Sequence, residues 1–234
     1  MKKVAIVTDS NGGLTEEEAR ALGVTVLPMP VYIDKKLYFE GVDLSQDKFF
    51  ELLPTATEVR TSQPSPAGVT ELWDKVLEDC DEVVHIPMSS GLSGSCDSAK
   101  MLARSYDGKV EVVDNRRISV TMRRSVYDAV GLRDRGLAAK EIREELEKTA
   151  AVSSIYISLE TLYYLKKGGR ITPLAAAVGS LLNIKPVLQI QGDKLDAYSK
   201  VRGKKAARTV MIKAIKKDFE TRFKAEVEAG RMRI

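Results

Sequence analysis

The 234-residue chain is 44% apolar and 30% charged, which suits one large or two ordinary folded domains and excludes a disordered chain. Its net charge of +4 is uneven: Lys200 to Lys224 holds ten Lys/Arg against Asp218 and Glu220, so that stretch is +8 and the remainder −4, which argues against a global polyanion-binding face. Two cysteines, Cys80 and Cys96, suit reduced thiols better than a disulfide framework. The apolar run before Asp9 is too short for a signal peptide, and no stretch reaches membrane-spanning length, so a cytoplasmic protein without stable membrane anchoring is expected.

In chain order, residues 4–7 read as a buried strand that stops at Thr8-Asp9-Ser10-Asn11-Gly12-Gly13. Asp9 at a strand's carboxyl end could hold a metal or accept a phosphoryl group, but the paired acid that such chemistry uses is missing; the bland reading is a turn and cap before a helix at 15–22. Residues 24–33 and 36–39 read as two strands around Asp34-Lys35. Ser45 caps a helix at 46–53, and Ser65 opens the next with Pro66 at its first position. Between these helices Pro64 and Pro66 hold the residues before them extended. Thr61 to Gln63 should therefore be a stiff edge that either presents the Thr61 and Ser62 hydroxyls at fixed positions or serves as a rigid linker.

The most informative stretch is DEVVHIPMSSGLSGSCDSAKMLA, residues 81–103. Val83, Val84, Ile86 and Met88 form a short apolar run, and Ala99, Leu102 and Ala103 then recur at helical spacing. Ser89 to Ser95 thus lies where a strand's carboxyl end meets a helix amino end, a place where free N–H groups and the helix dipole favour an anion. Gly91 and Gly94 allow close backbone approach, and four serines add hydroxyls. The alternative is a plain turn in which Ser93 or Ser95 caps the helix. The phosphate-loop and dinucleotide fingerprints are absent. G-x-S-x-G also fails, because Ser95 stands where its last Gly belongs and the only histidine, His85, lies upstream of the serine. A site that holds a small anion by hydroxyls and amides survives.

A strand at 110–113 ends at Asp114, and helices follow at 118–135 and 140–148. Strands alternating with helices to this point indicate a parallel sheet covered on both faces. From about residue 151 the pattern changes: a strand at 155–159, a short helix ending at Gly168-Gly169, an apolar helix at 174–182, and a hairpin of 185–190 with 194–200 around Gln191-Gly192-Asp193. A basic amphipathic helix runs from 204 to 228; nucleic-acid binding by it is the weaker reading, since solvated basic faces are common. Gly230 stops this helix, and residues 231–234 read as the first residues of a strand, so the second domain is expected to continue past Ile234.

Five stretches in order carry a resemblance. Val7-Thr8-Asp9-Ser10, Thr61-Ser62-Gln63-Pro64-Ser65-Pro66, Ser89-Ser90-Gly91-Leu92-Ser93-Gly94, LKKGGRI at 165–171 and Ile184-Lys185-Pro186 resemble the DegV family of bacterial fatty-acid-binding proteins over nearly the whole chain. The resemblance implies two α/β domains with an acyl chain held inside, its carboxylate near the interface, and a partner kinase that phosphorylates that carboxylate to an acyl phosphate. By motif, Thr61 and Ser93 would contact the carboxylate, with Ser62, Ser90 and Gly94 as neighbours and Arg170 and Arg202 as supporting or partner-facing positions. Two departures stand out. The family typically has Gly-Thr-Tyr after the serine where this chain has Gly94-Ser95-Cys96, and the family carries a histidine in a Gly/Pro-rich motif near its carboxyl terminus that this chain stops before reaching.

The expected architecture is α/β in two domains. A parallel-sheet, three-layer α/β/α domain over 1–150 would carry the head-group loops, followed by a smaller mixed-sheet α/β domain over 151–234, incomplete at its carboxyl end. The expected function is to bind a long-chain fatty acid in an apolar tunnel and present its carboxylate to the kinase's catalytic subunit, with no catalytic residue, metal or cofactor of its own and no nucleic-acid partner. The competing reading is a hydrolase or phosphotransferase using Ser93 or Asp9.

Overall fold

The structure, a computed structural model, describes residues 2–168, 184–191 and 195–232. The chain divides into two compact units, Met1–Ala151 and Val152–Ile234.

The first unit is built on a four-stranded parallel sheet. Strand β1 (Val4–Asp9) lies between β2 (Val24–Leu27) and β6 (Glu82–Ile86), and β7 (Val110–Val112) pairs with β6. Successive side chains leave a strand on opposite faces, so a sheet covered on both sides needs apolar residues in both alternating sets. One set, including Ile6, Val84 and Ile86, packs with Val126 and Ala129 of α5 (Ser119–Asp134) and Ile142 of α6 (Ala139–Lys148). The other, including Val7 and Val83, packs with Val69 and Trp73 of α3 (Pro66–Leu77) and with Cys96 and Ala99 of α4 (Ser95–Ala103). The result is the expected three layers. Helix α1 (Glu16–Leu22) starts with a capping box in which the Thr15 hydroxyl accepts from Glu18 N–H and the Glu18 carboxylate accepts from Thr15 N–H. Helix α2 (Gln46–Leu52) has the expected Ser45 cap, whose hydroxyl accepts from Lys48 N–H at 3.2 Å.

The expected single strand over 24–33 is instead two strands in two sheets. β2 belongs to the parallel sheet, whereas β3 (Pro30–Ile33) is the centre of an antiparallel sheet between β4 (Lys36–Phe39) and β5 (Val59–Thr61). Pro28 and Pro30 cannot donate to a ladder, and the chain changes sheets there. Asp34 and Lys35 turn between β3 and β4 with φ of 48° and 70°, the left-handed conformations that a tight two-residue hairpin requires.

In the second unit β9 (Ile184–Ile190) runs antiparallel to β8 (Ile155–Ser158) on one side and β10 (Leu195–Arg202) on the other. A short helix, Tyr163–Gly168, follows β8. The expected helix over 174–182 lies outside the described residues. The single basic helix expected over 204–228 is two helices, Lys204–Glu220 and Lys224–Glu228. The break has a cause: Phe223 is buried, and the Asp218 carbonyl accepts from the N–H groups of both Thr221 (3.3 Å) and Phe223 (2.8 Å). The strand expected from Arg231 is not formed at Arg231 and Met232. Gly230 adopts φ 65° and Arg231 N–H returns to the Glu226 carbonyl at 2.9 Å, which makes these residues the cap of the preceding helix. Among the described residues no helix is long and apolar enough to cross a membrane.

Candidate ligand-binding loops

Three loops leave the carboxyl ends of β1, β6 and β7, and the segment after β5 joins them. The β6 loop starts at Pro87 and is fixed mostly through its backbone. Ser89 N–H donates to the Arg117 carbonyl in the β7 loop at 2.9 Å, and Leu92 and Ser93 N–H return to the Ser89 carbonyl at 3.0 and 3.2 Å. Buried Leu92 anchors the turn. Ser90 N–H points to Asp114 Oδ1 at 3.4 Å, while Lys100 reaches Oδ2 at the same distance. Burial raises the Asp114 carboxyl, but these hydrogen bonds and the Lys100 charge outweigh it and hold the group below its ordinary range.

Ser93 is half-buried and Gly94 exposed at the entry to α4. The Ser93 hydroxyl accepts from Ser95 N–H at 3.2 Å, which leaves its own proton available for a ligand oxygen. The bland reading of a helix-start bond is therefore met, and the same hydroxyl still has a donor to offer. No carboxylate or imidazole bonds to Ser93 among the described residues, so the base that would activate it as a nucleophile is not in place.

Thr61 ends β5, in register with Val31 of β3, and Ser62 N–H donates to the Pro30 carbonyl at 3.3 Å. This pairing supplies the stiffness expected from the two prolines. Thr61 and Ser62 are exposed. The decisive link is Gln63. Its Oε1 accepts from the Ser98 hydroxyl on α4 at 3.2 Å and lies 3.3 Å from where a β-carbon on Gly94 would sit. The structure thus brings Thr61 and Ser62 to the same edge of the sheet as Ser90, Ser93 and Gly94. Arg202 closes β10 in the second unit and is exposed; Arg170 lies outside the described residues.

Asp9 plays a different part from the one its position suggests. It is 1% exposed, and its Oδ2 accepts from Met88 N–H at 3.2 Å and from Asn11 Nδ2 at 3.5 Å. Burial pushes its pKa up to about 6. A carboxylate enclosed in this way is a latch on the β6 loop and not a group open to substrate. Among the described residues no three His, Cys, Asp or Glu side chains are grouped to hold a metal. His85 is buried in β6, pushed down to about 4 by desolvation, and stands edge-on to Trp73 with ring centroids 5.5 Å apart. Cys96 is likewise a core residue whose thiol burial raises to about 12. Sequence reasoning misses Asp114 and the Arg117 carbonyl, which hold the loop from β7. The signal for Asp114, an acid at a strand's carboxyl end, is present but reads only as a strand stop.

The DegV family model matches residues 3–229. The chain belongs to the DegV family. A DegV domain-containing protein of Deinococcus radiodurans is 38% identical over 205 residues, spanning 87% of this chain and 73% of that protein. Among solved structures, a fatty-acid-binding DegV protein from Thermus thermophilus superposes with a TM-score of 0.85 at 32% identity over 94% of this chain and 79% of its own. A fatty-acid-binding DegV protein from Streptococcus agalactiae gives 0.84 at 28% identity, covering 94% and 80%. A DegV lipid-binding protein from Thermotoga maritima gives 0.80 at 27% identity, covering 92% and 77%. The α/β architecture described above is therefore the DegV fold, and structural neighbours within that family bind fatty acids.

Proposed function

We propose that this DegV protein binds a long-chain fatty acid, holds its carboxylate at Thr61 and Ser93 with Ser62, Ser90 and Gly94 alongside, and presents it to a partner kinase for acyl phosphate formation without catalysing a reaction itself. The observation that carries the reading is the Gln63 link, which places the two hydroxyl-bearing loops at one edge of the parallel sheet. In this reading the first domain, 1–150, carries the head-group loops, the second is 151–234, and the protein works in the cytoplasm. Arg202 and Arg170 serve as support or kinase contacts.

The energetics divide the labour between tail and head. Burying an acyl chain at ~0.8 kcal/mol per CH₂ offers on the order of 10 kcal/mol for a dozen methylenes, so the tail supplies affinity. A buried carboxyl needs hydrogen bonds to avoid a cost of several kcal/mol, and neutral hydroxyl donors suit a head that changes charge on phosphorylation. Denaturing mass spectrometry of the purified protein tests the reading: a stoichiometric fatty acid is expected. A lipid-free protein that also takes up no added fatty acid overturns it.

A further inference from the structure

Beneath the β6 loop, reaching Pro64 and Ser98 beside the Gln63 junction, lies a small cavity. Asp9, His85 and Ser95 line it, together with Leu27, Val69 and Leu102, and its volume of about 10 Å³ is room for about one water molecule. Asp9, His85 and Ser95 are 1%, 2% and 8% exposed. Each nonetheless carries polar atoms without a hydrogen-bond partner among the described residues: Asp9 Oδ1, both ring nitrogens of His85, and Ser95 Oγ. They come from three elements, the last residue of β1, the inside of β6 and the first residue of α4. Buried polar atoms are rarely left unpaired in a native protein. Three such side chains around one small space indicate a shared partner.

We propose that this cavity binds one structural water that bridges Asp9 Oδ1, a ring nitrogen of His85 and Ser95 Oγ. The chemistry matches. The carboxylate accepts, a neutral imidazole offers one donor and one acceptor nitrogen, and the serine hydroxyl does either, while a bridging water uses two to four polar partners. Burial keeps His85 neutral down to about pH 4, so the imidazole does not compete as a cation for the Asp9 charge. Other ionisable groups near Asp9 are Glu40 and the buried Cys96 thiol, with Asp114 and Lys100 next to Cys96. The water completes a clasp. Asp9 Oδ2 holds Met88 N–H before the loop, and Oδ1 reaches Ser95 after it through the water, so one side chain on β1 fixes both ends of the Ser89 to Ser95 segment.

The test is a crystal structure of the full chain at better than about 1.2 Å resolution, where a single ordered water is expected within hydrogen-bond distance of all three side chains. A dry cavity, or direct bonds among the three, overturns the proposal. A second measurement uses hydrogen exchange. His85→Phe removes one anchor and should speed amide exchange across residues 89–95 by about tenfold, leaving β1 protected; unchanged exchange overturns the clasp. Should that variant fail to fold, Ser95→Ala is read in the same way. Neither readout involves a lipid, so failure of the fatty-acid reading leaves this one standing.

Discussion

The loops after β1 and β6 occupy equivalent places, at the carboxyl ends of adjacent parallel strands, yet they do different work. In the β1 loop the conspicuous side chain, Asp9, is buried, and its Oδ2 oxygen is spent on Met88 N–H and Asn11. Ser10 is also engaged: its hydroxyl donates to Glu40 at 2.6 Å and accepts from Met29 N–H at 3.1 Å, tying the loop to the antiparallel sheet. In the β6 loop main-chain bonds from Ser89, Leu92 and Ser93 share the work with the Asp9 and Asp114 carboxylates, so Ser90 and Ser93 stay half-exposed and Ser93 keeps a free donor. The topological rule for open α/β sheets locates the ligand edge. In the proposed reading, the loop that takes the ligand is the one whose hydroxyls are not all spent on holding the loop together.

The largest effect that would break this contrast concerns pH. Burial raises Asp9 to about 6 and lowers His85 to about 4. The folded state therefore binds an extra proton at Asp9 between about pH 4 and 6, and its burial penalty eases as pH falls through 6. The unfolded state binds the extra proton at His85, so stability from that residue is lost as pH falls from about 6.5 towards 4. The two slopes oppose each other in the wild type. Relative to wild type, His85→Phe should gain stability on acidification from pH 6.5 to 4 and Asp9→Asn should lose it, each by up to about 3 kcal/mol. Urea denaturation across that range measures both differences; variants that simply parallel the wild type would show that neither group is buried as described.

A second pair of substitutions separates latch from cradle directly. Asp9→Ala removes an ionised acceptor and should cost roughly 1.5–3 kcal/mol of folding stability. Ser93→Ala should cost under about 1 kcal/mol of stability, the scale of a lost helix-start bond, but weaken fatty-acid binding by roughly 1–3 kcal/mol by leaving a carboxylate oxygen unpaired. Thr61→Val, whose hydroxyl makes no bond to protein among the described residues, should show the binding loss with almost none of the stability loss. Thermal melts and a fluorescent fatty-acid displacement assay give the two axes. Equal losses on both for all three variants would erase the distinction between the loops.

Much of this was legible in the sequence because the parallel sheet writes itself in local patterns. Continuous apolar runs such as 4–7 mark strands buried on both faces, Ser45, Ser65 and Pro66 mark helix starts, and a Gly/Ser cluster between a strand and a helix marks the loop. Partners distant in the chain were not legible. Gln63 with Ser98, Ser89 with Arg117, and Asp9 with Met88 meet only after the strands are ordered, and no local spacing encodes them. The same limit explains the misread at 24–33, where composition favours extended chain throughout but pairing sends its two halves to different sheets, and at 204–228, where the buried Phe223 breaks a helix that reads as continuous.

The smallest expected effect tests the junction between the loops. Gly94 has φ −72°, an ordinary right-handed conformation, so Gly94→Ala brings no backbone strain. Any consequence must come from the new methyl, 3.3 Å from Gln63 Oε1. The end of a flexible side chain can give way by a few tenths of an ångström, so the stability change should stay within about 0.5–1 kcal/mol, the scale of one ordinary hydrogen bond to Ser98 lost or strained. The loops part slightly if Gln63 moves, and fatty-acid affinity then falls a few-fold, about 0.5–1 kcal/mol. In a double-mutant cycle, Gln63→Ala should abolish the effect of Gly94→Ala. A cycle with no coupling between positions 63 and 94 would mean that this contact does not set the spacing of Thr61 and Ser93, and the two hydroxyls would then have to be positioned independently by their own strands.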